Sequence, residues 1–222
     1  MGPAVGEVLP LSIGVAISPI PIIATILMLL TPRAATTATT FLAGWVLGIA
    51  VGYTIFVVLG SVADLSSRSD GNSVTAVVRV ALGAVLLILA VRQWRRRPAP
   101  GEEPALPRWL AAMDKVTPAK ALALGVGLSA VNPKNLLMIV GAAVAVTQLG
   151  VGGAAIVVAG IVFTVLAAST VAVPVIGYFT LRERATGWLN DLKAWLITNN
   201  AAVMAVLLLV IGVSLIGRGI SD

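Results

Sequence analysis

The 222-residue chain has no cysteine and no histidine. That removes disulfide frameworks, thiolate or imidazole metal sites, and Cys or His nucleophiles. Charge is scarce too, at 11% of residues, where soluble domains carry about 25%. Acidic groups are the scarcest: nine Asp and Glu against fifteen Lys and Arg, a net charge of +6. What remains is hydrocarbon, with 59% hydrophobic residues and a mean hydropathy of +1.03. No charged side chain occurs from Ala34 to Ala63, or from Asn135 to Leu181. A bilayer span needs about 20 apolar residues, so each run is long enough for membrane helices. The chain reads as an all-α integral membrane protein. In such a chain positive charge points to cytoplasmic loops rather than to nucleic acid. A secretory signal is not expected, because the start lacks a basic n-region, carries Glu7 and runs into an overlong apolar segment.

Six spans fit: about Val8–Leu30, Thr37–Val62, Ser73–Val91, Ala119–Val146, Val151–Thr180 and Ala201–Ile216. A Pro-rich, basic linker over 92–118 separates a first three-helix unit (1–91) from a second (119–222). The loops after spans one, three and five hold Arg33; Arg92, Arg95, Arg96, Arg97, Arg108, Lys115 and Lys120; and Arg182, Arg184 and Lys193. The other side holds Arg68 and Arg218. The positive-inside rule then predicts the linker in the cytoplasm and both termini outside.

The two halves look alike. "GVAISPIPIIATILML" in span one and "GLSAVNPKNLLMIV" in span four align with Pro19 on Pro133, Ser18 on Asn132 and Pro21 on Asn135. Three spans per half is an odd number, so the halves run in opposite orientations. Inverted repeats with broken helices at matching positions point to a transporter with a site at the repeat interface. Ser-Pro and Asn-Pro are also helix starts, so Ser18 and Asn132 are predicted to cap half-helices that begin inside the membrane. Their N-termini would present free N–H groups to an anion. Lys134 lies about 21 Å beyond Lys120 along a helix. A charge that deep costs at least about 2.5–3.5 kcal/mol, and no acidic residue lies within the expected spans to pair with it. Two roles fit Lys134: a brace satisfied by carbonyls freed at the breaks, or an anchor for an anionic group. Arg79, about two turns inside span three, either snorkels to the outer interface or joins the site.

Two further patterns stand out. Gly44, Gly48 and Gly52 form a small-residue stripe on span two, for close packing within the chain or for a homodimer seam. Trp188, Leu189, Leu192, Trp195 and Leu196 share one helical face ahead of span six, an interfacial helix or a plain elbow between spans. Leu110 and Met113 before span four invite the same two readings.

Six spans, the Pro-x-Pro of span one and the "NPK" of span four resemble the lysine-exporter (LysE) superfamily. Within it, "AVNPKN" and the basic loop between the halves resemble the branch of glycolipid- or sulfolipid-addressing proteins. That resemblance implies a bacterial inner-membrane protein that moves cell-envelope lipids toward the surface, with Pro19, Pro21, Asn132, Pro133, Lys134 and Asn135 at its site. No cofactor or metal is expected. With no His, Cys or embedded acid, an enzyme is not expected either.

The expected function is therefore a transporter or flippase for an anionic lipid or glycolipid, with membrane lipids as its surroundings. The expected binding residues are Ser18, Pro19, Pro21, Asn132, Pro133, Lys134, Asn135 and Arg79. An exporter of a small soluble anion or amino acid, and a scaffold subunit of an envelope-lipid export complex, are the alternatives. A cavity open to lipid favours the first, a closed polar cavity the second, and the lack of a cavity the third.

Overall fold

A computed structural model describes residues 1–66, 71–97, 110, 113, 116–181 and 183–221. The expectations placed on Arg68, Arg108, Lys115, Arg182 and most of the basic linker lie outside these residues. Among the described residues there is no strand, and there are eight α-helices. They are α1 (Gly2–Ala16), α2 (Pro19–Leu29), α3 (Ala34–Ser66), α4 (Gly71–Arg95), α5 (Pro118–Val126), α6 (Pro133–Thr147), α7 (Gly153–Leu181) and α8 (Glu183–Ser221). A π-helical turn, Gly127–Val131, joins α5 to the break before α6.

Four helices are each long and apolar enough to cross a bilayer: Ala34–Ser61, Ala76–Arg95, Gly153–Leu181 and Thr186–Ile220. Two more candidates are bent pairs. The α1–α2 pair bends by 54°, and Pro118–Val131 with Pro133–Thr147 by 61°. Spans number four, or six if each bent pair is one span. Hydroxyls inside these helices do not interrupt them, because they bond back along the helix. Thr40 Oγ1 donates to Thr36 O at 2.7 Å, and Thr54 Oγ1 to Ala50 O at 2.8 Å. The polar–apolar arrangement is that of a protein in oil. Val51, Ile55, Val58 and Leu59 of α3 and Val157, Ile161 and Val165 of α7 face outward. Trp45, Phe41, Ile49 and Phe163 are fully buried between them.

The packing answers three readings of the sequence. First, of the two uses open to the glycine stripe, the chain takes close packing within itself. A Cβ at Gly44 would strike Leu122 O, one at Gly48 would strike Ser129 Oγ, and one at Gly52 would touch Ile139. Gly125 answers from α5, where a Cβ would meet Phe41 O and Trp45 N. Backbone-on-backbone packing of α3 against α5 occupies Gly44 and Gly48 within the chain.

Second, the Trp-bearing segment is no separate interfacial helix or elbow. It forms the opening turns of α8, which runs unbroken from Glu183 to Ser221. No proline interrupts it, and its asparagines bond back along the helix: Asn190 Nδ2 donates to Thr186 O and Asn199 Nδ2 to Trp195 O. Leu189 and Leu196 are buried while Trp188 and Trp195 are exposed, so the expected single face splits in two. Leu110 and Met113 are likewise buried in the core. Third, α1 begins at Gly2 and absorbs Glu7. The charge is tolerated because Arg218, near the other end of the chain, donates to it.

Candidate functional site

The first break is a complete exchange of hydrogen bonds. A helix ends with four carbonyls lacking intrahelical donors. In α1 these are Ile13, Gly14, Val15 and Ala16. Ile13 O accepts from Ile17 N at 2.9 Å. Val15 O accepts from Ser18 Oγ at 2.8 Å. Ala16 O accepts from Ser18 N at 2.8 Å, and also from Thr170 Oγ1 of α7. Gly14 O accepts from Lys134 Nζ at 2.6 Å. The lysine therefore closes the account of a helix 120 residues away.

Lys134 has three acceptors in all: Gly14 O and Ser18 Oγ at 2.6 Å, and Ile17 O at 3.4 Å. An ammonium has three donors, so the group is saturated by neutral oxygens. It is only 6% exposed. Beside it Asn135, fully buried, donates from Nδ2 to Leu128 O of the π turn at 3.0 Å. Its Oδ1 lies 3.4 Å from Ser18 Oγ. Lys134 and Asn135 thus tie the second break to the first.

The capping prediction holds for one break. Asn132 accepts from Lys134 N at 3.0 Å, as an N-cap should. Ser18 stands in the N-cap position of α2, but its hydroxyl turns back to Val15. The prolines also limit what these helix ends can offer. Pro19 and Pro21 carry no N–H, which leaves Ile20 as the donor among the first three residues of α2. In α6, Pro133 has none and the Lys134 N–H is taken by Asn132. The expected double cradle of N–H groups is therefore much reduced.

Next to the joined breaks lies a cavity of about 410 Å³. Its walls come from four elements. The start of α2 supplies Ser18, Pro19, Ile20 and Pro21, and the start of α6 supplies Asn132, Pro133 and Lys134. The end of α4 contributes Leu89, Arg92, Gln93 and Arg96, and α8 contributes Asn200, Met204 and Leu208. Six of the eight predicted site residues line it. Asn135 lies behind the wall. Arg79 does not belong: it lines a pocket of about 20 Å³ at the opposite end of α4, with Glu7 and Arg218.

Four polar cavity residues, Arg92, Gln93, Arg96 and Asn200, were not singled out as site residues from the sequence. Arg92 and Arg96 counted only as orientation signals, although their i, i+4 spacing places both on one face of α4. Asn200 carried no signal. Among the described residues, its Oδ1 is a buried acceptor without a hydrogen-bond partner.

The comparison with family profiles decides the identity. The profile described as Sap, sulfolipid-1-addressing protein, matches residues 8–221. The chain belongs to the Sap family. The match includes both helix breaks, and with the long apolar helices it makes the chain a multi-pass membrane protein. No curated protein and no solved structure matches this chain.

Proposed function

We propose that this Sap protein is a transporter or flippase that carries an anionic amphiphile across the bacterial inner membrane. The single observation that supports it best is the mixed lining of the cavity, where cationic and polar Arg92, Arg96, Lys134 and Asn200 stand with apolar Ile20, Leu89, Met204 and Leu208. A small soluble anion needs only the polar residues, and a scaffold needs no cavity. The family's description names a sulfolipid, an anionic lipid, and a lipid of that charge fits this lining. Arg92 and Arg96 bind the headgroup. Lys134 lends its charge from within the wall and braces the two breaks, rather than reaching out as the sole anchor.

The architecture belongs to the same proposal: six spans as two inverted three-helix repeats, 1–91 and 119–222, within the wider lysine-exporter superfamily. The packing supports it. Exchanging the halves converts the α3–α5 contact into the α7–α1 contact, both extensive, and leaves α4–α8 facing itself. The basic linker is placed in the cytoplasm and both termini outside.

The test is a lipid-movement assay in proteoliposomes with tail-labelled fluorescent phosphatidylglycerol and phosphatidylcholine. The proposal expects the anionic probe to move several-fold faster, and the advantage to vanish in Arg92→Gln/Arg96→Gln. Equal rates for both probes, or an unchanged double variant, contradict it.

A further inference from the structure

At the end of the molecule remote from the cavity, the first and last helices are joined by an ion pair between Glu7 and Arg218, with side-chain exposures of 26% and 39%. Arg79 lines the same small pocket. Around it α4 and α8 touch backbone to backbone. A Cβ at Gly83 would meet Gly212 O at 2.7 Å and Ile216 Cγ1 at 2.6 Å. One at Gly219 would meet Ala76 O at 2.9 Å and Arg79 Cβ at 3.1 Å. The pocket that remains holds about one water, at 20 Å³.

Two arginines line this end, Arg79 and Arg218, and on Arg218 a carboxylate of the chain itself occupies the place of an external anion. We propose that this end is the exit gate and release site, held shut by Glu7 acting as an internal counter-anion. An anionic headgroup arriving from the cavity exchanges for the Glu7 carboxylate on Arg218. Breaking that pair uncouples α1 from α8 and opens the pocket that both helices line. Arg218 keeps an anion throughout the exchange, and the displaced Glu7 carboxylate, 26% exposed at the start, turns to water. The inference rests on the transport reading above, but its first readout needs no lipid.

Because the chain has no cysteine, Ala145→Cys serves as a reporter. Ala145 is 5% exposed and lines the closed pocket. Labelling of purified protein by a water-soluble maleimide is timed in three backgrounds. With Glu7 and Arg218 intact, labelling is slow. Glu7→Gln speeds it about tenfold, within the ordinary range for coupled sites. The exchange Glu7→Arg/Arg218→Glu restores the slow rate. An unchanged rate in Glu7→Gln overturns the gate. A charge-exchanged protein that labels as fast as Glu7→Gln also overturns it, because loosened packing rather than the pair would then be responsible.

Adding phosphatidylglycerol to the Glu7-containing reporter protein speeds labelling, and phosphatidylcholine does not. Equal effects of the two lipids overturn the anion exchange while leaving the lipid-movement assay to judge transport separately.

Discussion

The two ends of the α4–α8 pair are made by the same two helices and yet differ in kind. Over Ala76–Leu87 on α4 the facing positions are Gly83, Gly212 and Gly219, and the backbones meet. Over Leu89–Arg96 the facing side chains are Leu89, Arg92, Met204 and Leu208, and a cavity of about 410 Å³ lies beside them. Residue size sets the separation, because packed interiors leave no slack. Arg79 and Arg96 are seventeen residues apart, about 26 Å along α4 at 1.5 Å per residue. That is close to the roughly 30 Å of a hydrocarbon core. The molecule thus carries two arginines at each end of this pair: Arg92 and Arg96 beside the open cavity, and Arg79 and Arg218 at the closed end, where Glu7 pairs with Arg218. On the transport proposal, this is the asymmetry of a carrier facing one side.

The largest change should come from filling the closed end. Gly83→Leu puts a side chain where Gly212 O stands and overpacks the seam by about 3 kcal/mol or more. The expected outcome is loss of monodisperse protein on size-exclusion chromatography. A well-folded Gly83→Leu would mean that the glycine contact does not hold this end together.

Next comes the link between the breaks. Lys134→Met leaves Gly14 O without a donor and removes the acceptor pairing at Ser18. An unmet buried carbonyl costs about 1–3 kcal/mol. At about 2–4 °C per kcal/mol, the melting temperature should fall by several degrees. This is the outcome expected of the brace, one of the two roles that the sequence leaves open for Lys134. An unchanged or raised melting temperature would show that the three bonds to Lys134 contribute little.

A smaller, purely functional effect is expected at the open end. Arg92 and Arg96 are exposed, so Arg92→Gln/Arg96→Gln should leave the melting temperature alone. Each lost cation is worth about 1 kcal/mol toward an anionic lipid surface. Phosphatidylglycerol affinity should therefore fall roughly tenfold or more, read by native mass spectrometry. The smallest effect belongs to Leu89→Val, which trims the cavity wall rather than a packed seam. Its stability should change by less than about 1 kcal/mol. A cost as large as that of Gly83→Leu would erase the difference between the ends.

Much of this was legible in the sequence. Long uncharged runs fixed the helices, and the half-chain spacing of Pro19 and Pro133 located both breaks. Asn132 announced itself as a cap through Asn-Pro. What stayed hidden depends on partners far apart in the chain. Nothing near Lys134 says that its acceptors are Gly14, Ile17 and Ser18. Nothing near Glu7 says that Arg218 lies beside it, so α1 was predicted to start six residues late. Arg79 carried the same signature as a site residue and sits at the other end. Arg92 and Arg96 were visible, but a loop charge and a cavity charge look alike until α8 is placed opposite.

The account turns on one end being open to water and lipid headgroups while the other is shut. The most direct measurement compares Met204→Cys, in the cavity wall, with Ala145→Cys, in the closed pocket, under the same water-soluble maleimide. The account predicts rapid labelling at 204, slowed by phosphatidylglycerol but not by phosphatidylcholine, and slow labelling at 145 in lipid-free conditions. Equal rates at the two positions, or labelling at 204 that neither lipid slows, would contradict it.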